Sequence, residues 1–280
     1  MTANGARTAF LMALFIGFFA VVGQALGGQQ GMIIAFVFAV ATNFGSYWFS
    51  DKIVLKMYKA QEVTAQQAPE LYRMVDRLRQ RADLPMPKVY VTPSDQPNAF
   101  ATGRNPQNSA VAVTSGLVKL LNKAELEGVI AHELAHIKNR DILTSSVAAT
   151  LASSITMLTY FGMFFGNRDD RGGVLSALLM IFLAPIAASL IQMSISRTRE
   201  FAADRLGAEI CGQPRALASA LSTLHNGVSQ IPMNASDSTA HMFIVNPFSG
   251  MTNALHKLFA THPPMEERIE ALLAMEGGRR

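Results

Sequence analysis

Charge is what this chain lacks. Only 16% of its 280 residues are Asp, Glu, Lys or Arg, and half are apolar, whereas a soluble globular chain carries about a quarter charged residues. The shortfall is local. No Asp, Glu, Lys or Arg occurs from Thr8 to Ser50, nor in residues 142–166 and 172–196. A bilayer core is crossed by roughly 20 residues of helix, so these runs argue against an ordinary soluble domain and for a multi-pass membrane protein. Cysteine is nearly absent: Cys211 stands alone, which excludes an internal disulfide. Repeats and low-complexity tracts are missing too. The net charge of +4 suits an anionic membrane surface, and no basic patch points to nucleic acid.

The first uncharged run is too long for one crossing. GGQQG, at 27–31, divides it into helices at about residues 8–26 and 32–49, with Tyr47, Trp48 and Phe49 at the interface. The other two runs supply a third and a fourth span, and Pro185 offers a kink point in the fourth. Lys52, Lys56 and Lys59 follow the second span, and Arg197 and Arg199 follow the fourth; the loops GGQQG and NRDDRGG carry little net charge. Positive-inside counting then places both chain ends and the long polar regions in the cytoplasm. The expected organisation is a transmembrane hairpin at 1–50, a polar region at 51–141, a second hairpin at 142–196 and a second polar region at 197–280.

Within the first polar region, apolar residues spaced as on one helix face run from Leu71 to Leu78 behind Pro69. KVYVT at 88–92, NAFATG at 98–103 and AVAVT at 110–114 read as strands, the last two joined by the turn residues GRNPQN. Asn122 caps the next helix, with Glu125 three residues on as a capping box. That helix runs almost without a break into the third span. After the fourth span, REFAAD opens another helical region, residues 226–253 are rich in loop formers, and MEERIEALL closes the chain as a helix.

The chemistry lies in HELAH, residues 132–136. Two histidines four residues apart project from one helix face and can share one zinc ion. Glu133, beside the first, is placed to act as general base on a water there. Val129, Ile130, Leu134, Ala135 and Ile137 make the segment a buried one, in which two histidines need partners. A hydrolytic zinc site takes a third protein ligand and keeps one position open. His225, His241, His256 and His262 are available, as are the acids after the fourth span. No third histidine follows HELAH at close spacing, so a distant carboxylate is favoured. Glu200 is the first choice, with Asp204 on the same helix face to hold the outer nitrogen of a ligand histidine. The bland alternative is a pair of surface acids matched with Arg197, Arg199 or Arg205. If the third and fourth spans pack antiparallel, HELAH and Glu200 emerge on one cytoplasmic face.

Four stretches, HELAHIKNRD, SRTREFAADRLGAE, PNAFATG and FATHPPMEERIEAL, together with the four spans, resemble the HtpX branch of membrane zinc metalloproteases, relatives of the CAAX prenyl endopeptidases. The resemblance covers most of the chain in family order. It implies a mainly α membrane protein with four transmembrane helices and a cytoplasmic α+β zincin-like metalloprotease domain with a small edge-stranded sheet. It also implies a zinc endopeptidase of a bacterial inner membrane, acting on polypeptides, membrane proteins among them, in stress-related quality control. Carried over by position, His132, His136 and Glu200 are the zinc ligands and Glu133 the general base. Asn98 and the backbone after it align an extended substrate, while His262 and Arg268 approach the developing oxyanion. Phe201 stands where the family also uses tyrosine, and it has no hydroxyl to offer. Two other readings stay open: a catalytically silent zinc scaffold, and a prenyl-peptide endopeptidase, which would call for more spans around a chamber.

Overall fold

The computed structural model describes residues 3–165, 197–228 and 263–277. Its first element, α1 (Ala3–Met57), is one unbroken run of helical backbone, yet it doubles back on itself. Asn43 Nδ2 donates to the Met12 carbonyl at 2.8 Å and the Phe19 and Phe38 rings lie 5.4 Å apart, whereas in a straight helix 31 residues span about 46 Å. The reversal falls at Gly28, at φ +59°, a left-handed conformation that costs glycine little and other residues more. Gly23 and Gly31 then meet backbone to backbone, with no room for a side chain.

The second arm, Gly28–Met57, is long and apolar enough to cross a membrane; the first, Thr8–Gln24, is apolar but shorter. Ile33, Ile34, Phe36, Val37 and Phe44 of the second arm point outward uncovered. Against the first arm packs α5 (Ile142–Phe165), through Leu11, Phe15 and Phe19 on one side and Val147, Leu151 and Ile155 on the other. A buried contact of 2.9 Å between the Thr8 and Thr144 hydroxyls joins the two helices. The expected fourth span, within 172–196, lies outside the described residues.

Between these elements comes a four-stranded sheet of order β1-β2-β4-β3, made of β1 (Gln61–Glu62), β2 (Lys88–Thr92), β3 (Ala99–Asn105) and β4 (Asn108–Thr114). β2 runs parallel to β4, and β3 returns antiparallel beside it. Both faces are covered, which is why AVAVT reads as a continuous apolar run and not as an alternating one. Val89, Ala99, Ala101, Val111 and Val113 face the main core. Phe100, Ala110 and Ala112 face Val54 and Leu55 near the end of α1. Sequence periodicity misses β1, which is two exposed residues with no apolar pattern.

The main core gathers around α4 (Lys123–Lys138). Asn122 and Glu125 close its N-terminus as a full capping box. α2 (Pro69–Arg81), the short α3 (Ser115–Leu120), α6 (Arg197–Cys211), α7 (Pro214–Val228) and α8 (Met265–Gly277) are the other helices among the described residues. α4 is buried on nearly every side from Leu126 to Ile137, so it has no solvated face, as expected of a central helix. It does not run straight into α5. Asn139 ends it, Arg140 turns left-handed at φ +59°, and Asp141 donates its N–H back to the His136 carbonyl at 3.0 Å.

Candidate metal and peptidase site

The four-residue spacing on α4 does what the helix period requires. The His132 and His136 rings stand edge to face with centroids 4.7 Å apart, and their Nε2 atoms converge to 3.2 Å. α6 brings the third group. Glu200, Ala203, Asp204, Gly207 and Ala208 form its buried stripe, the spacing of one helix face. The stripe is made of small residues for a geometric reason: a Cβ on Gly207 would come within 2.9 Å of both the N and the Cα of His132. Backbone thus lies on backbone about one turn past Asp204. Glu200 Oε2 reaches 3.8 Å from His132 Nε2, and Glu200 Oε1 3.6 Å from His136 Nε2.

These three ligand atoms all fall within 4.8 Å of one another. For a tetrahedral zinc with bonds of about 2.0–2.1 Å, ligand atoms sit roughly 3.3 Å apart. The two nitrogens already stand 3.2 Å apart, and the Glu200 carboxylate faces both, with Oε2 3.8 Å from His132 and Oε1 3.6 Å from His136. Two neutral nitrogens and one carboxylate oxygen are also a donor set that such a cation takes. The residues fit a divalent metal.

Each histidine has an acid behind it. Asp204 Oδ1 lies 3.0 Å from His132 Nδ1, the place assigned to it from the sequence. Asp141 Oδ2 lies 3.2 Å from His136 Nδ1, and sequence reasoning passed it over. The available signal was the acid five residues past His136 at the head of the next apolar run. Burial pulls the His136 ring down, but the Asp141 hydrogen bond and the charges of Glu200, Glu133 and Asp141 outweigh it and carry the ring up to about 9. Burial also works on Asp204, pushing its carboxyl up. The charge and hydrogen bonds of Arg268, with those of His132, outweigh that and hold the carboxyl below its ordinary range.

Glu133 is buried beside the histidines, and burial above all raises its carboxyl, against the pull of His132 and His136 and with a push from Glu200. The Ala101 N–H of β3 donates to it. β3 is an edge strand among the described residues. Asn98 opens it, buried, with its N–H on Thr114 Oγ1 and its carbonyl accepting from the Thr114 N–H, both at 2.9 Å. Antiparallel pairing alternates, so the backbone groups of Ala99, Ala101 and Gly103 face the outer edge, beside Glu133. The edge is anchored from behind by a 2.8 Å contact of Thr102 Oγ1 with Ser146 Oγ of α5 and by Arg104 stacked 4.8 Å over the Trp48 ring.

Arg268, on α8, lies behind the ligands. Its Nε and Nη2 each donate to an Asp204 oxygen at 2.7 Å, and its Nη1 is 3.7 Å from Glu200 Oε2. His262 lies outside the described residues.

Residues 65–276 match the profile of Peptidase family M48. The chain is 60% identical over 274 residues to a protein named Protease HtpX homolog from Salinibacter ruber, covering 98% of this chain and 99% of that one. It is 56% identical over 278 residues to another Protease HtpX homolog, from Methylibium petroleiphilum, with 97% and 98% covered. Among solved structures, the crystal structure of S. mikatae Ste24p is similar in fold, with TM-score 0.53 and 18% sequence identity. That likeness covers 96% of this chain and 64% of the Ste24p chain, so this chain spans less than two thirds of it. A buried His–His–Glu cluster that fits a metal, a glutamate beside it, and relatives matched end to end agree: the chain belongs to Peptidase family M48 and is a metalloprotease.

Proposed function

We propose that the chain is a zinc-dependent endopeptidase of a bacterial inner membrane, its site on the cytoplasmic side, cleaving polypeptides that include misfolded and membrane proteins. The observation that carries this reading is the meeting of Glu133 with the Nε2 atoms of His132 and His136, Glu200 and the open edge of β3. Zinc held by His132, His136 and Glu200 would act as a Lewis acid and bring a water's proton within reach of a carboxylate near neutral pH. Glu133 takes that proton as the water attacks the peptide carbonyl and returns it to the leaving amine. The burial that raises Glu133 makes it a stronger base for the first step. The outward backbone groups of Ala99 and Gly103 and the Ala101 carbonyl line up an extended peptide, the Ala101 N–H being held by Glu133, and Asn98 fixes the head of that edge. The basic residues Lys52, Lys56, Arg197 and Arg199 on the flanks of the apolar runs support the cytoplasmic orientation. In detergent-solubilised protein, Glu133→Ala keeps its zinc content and loses hydrolysis of an unfolded protein such as casein by at least about 10³-fold. An undiminished rate at equal zinc content refutes the general-base assignment.

A further inference from the structure

Among the described residues, Arg268 is the only arginine or lysine with no solvent exposure at all. Stripping a guanidinium of water is expensive and is tolerated where fixed charges and hydrogen bonds replace the water. Here they do. The fork made by Nε and Nη2 grips both oxygens of Asp204, itself 1% exposed, and Nη1 turns to Glu200. Beyond Asp204, at 3.0 Å, stands Nδ1 of His132. The chain of contacts therefore runs from α8 through α6 to α4 and ends on two of the three metal-ligating side chains. The charges also close. Glu133, Glu200 and Asp204 are three buried carboxylates, matched by a divalent cation and one guanidinium, while a fourth buried acid at the site, Asp141, has Arg199 3.9 Å away.

We propose that Arg268 is a positioning residue: by clamping Asp204 it fixes the ring of His132, and by its charge it holds Glu200, so that α8 completes the metal site without touching substrate. This rests on the metallopeptidase reading above and differs from the oxyanion contact that the family resemblance implies. A donor to the oxyanion must face the cleft, and this guanidinium is enclosed with its fork on Asp204.

The test uses the full-length protein in detergent. Zinc and cobalt affinities are measured by competition with a chromophoric chelator, alongside the visible spectrum of the cobalt form. R268M is expected to weaken both metals by about 10–100-fold, to shift the cobalt bands, and to lose activity at limiting zinc that partly returns as zinc is added. D204N loses affinity to a similar degree. The double variant D204N/R268M loses no more than the worse single one, because the two residues act as one device. R268K, with charge but no fork, falls between wild type and R268M. Wild-type metal affinity and cobalt spectrum, with kcat reduced by about 10²–10³-fold at full loading, would make Arg268 a direct contact of the reacting atoms and overturn the proposal. A lowered Tm with unchanged affinity would make it a structural pin and overturn it equally. If R268M does not fold, R268K and D204N decide, and wild-type affinity in both overturns the proposal. Wild-type protein that binds zinc yet hydrolyses nothing refutes the peptidase reading and leaves the affinity measurements on Arg268 intact.

Discussion

The two histidines of HELAH are equivalent on the helix but not in what stands behind them. His132 is backed from the protein core, by Asp204 and Arg268, at side-chain exposures of 3%, 1% and 0%. His136 is backed by Asp141, where α4 gives way to the apolar helix α5, and its side chain is 17% exposed. One histidine is set by packing among α4, α6 and α8. The other is set by a turn at the foot of an apolar helix. The difference assigns stability to the first side of the site and adjustment to the second.

Asp204→Asn tests this hardest. It removes the carboxylate from the fully buried fork and leaves Arg268 with the more distant Glu200; breaking a buried ion pair in this way costs about 3–5 kcal/mol. Thermal unfolding is expected to show it as a loss of that order, with metal affinity falling in step. Equal stability in Asp204→Asn and Asp141→Asn would abolish the distinction between the two histidines. Gly207→Ala strikes the same side by a different route. Its new Cβ must push against the His132 backbone from 2.9 Å, and overpacking of this kind costs about 1–3 kcal/mol. A variant of wild-type Tm would show that α6 does not need backbone contact with α4.

Asp141→Asn is expected to act on metal uptake more than on folding, by about tenfold in zinc affinity, and to change its pH dependence. A histidine must shed its proton to bind metal. With His136 raised to about 9, affinity climbs by about tenfold per pH unit through neutrality and levels off above that value. Without the Asp141 charge the ring titrates lower, so the plateau begins at more acid pH. An unchanged profile would remove Asp141 from the His136 side. The smallest effect belongs to Thr102→Val, which breaks the contact of β3 with Ser146 for about 1 kcal/mol. It is expected to lower kcat/KM severalfold through a looser β3 edge while zinc affinity stays put, and a loss of zinc would contradict that separation.

Much of this was legible from local patterns. The spacing of His132 and His136, the cap at Asn122 with Glu125, the strand at 88–92 and the shared face of Glu200 and Asp204 each follow from residues a few positions apart, where helix and strand periods speak directly. What escaped depends on contacts between distant segments. Arg268 finds Asp204 across 64 positions, and no local pattern distinguishes that partner from a substrate's oxygen. Gly207 looks like an ordinary helical glycine until the His132 backbone is seen against it. The break at Arg140 escaped because NRD reads as well inside a helix as at its end, and the left-handed turn there is what delivers Asp141 to His136. The doubling of α1 was readable from GGQQG, although its close contact at Gly23 was not.

α5 has two jobs within its opening stretch. Asp141, just ahead of Ile142, reaches His136, and Ser146, five residues later, reaches the back of β3. His136 and the back of β3 are therefore tied to one short stretch of chain, from Asp141 to Ser146. A tilt starting at that one helix would reach both at once, with no change in any residue of the cleft itself.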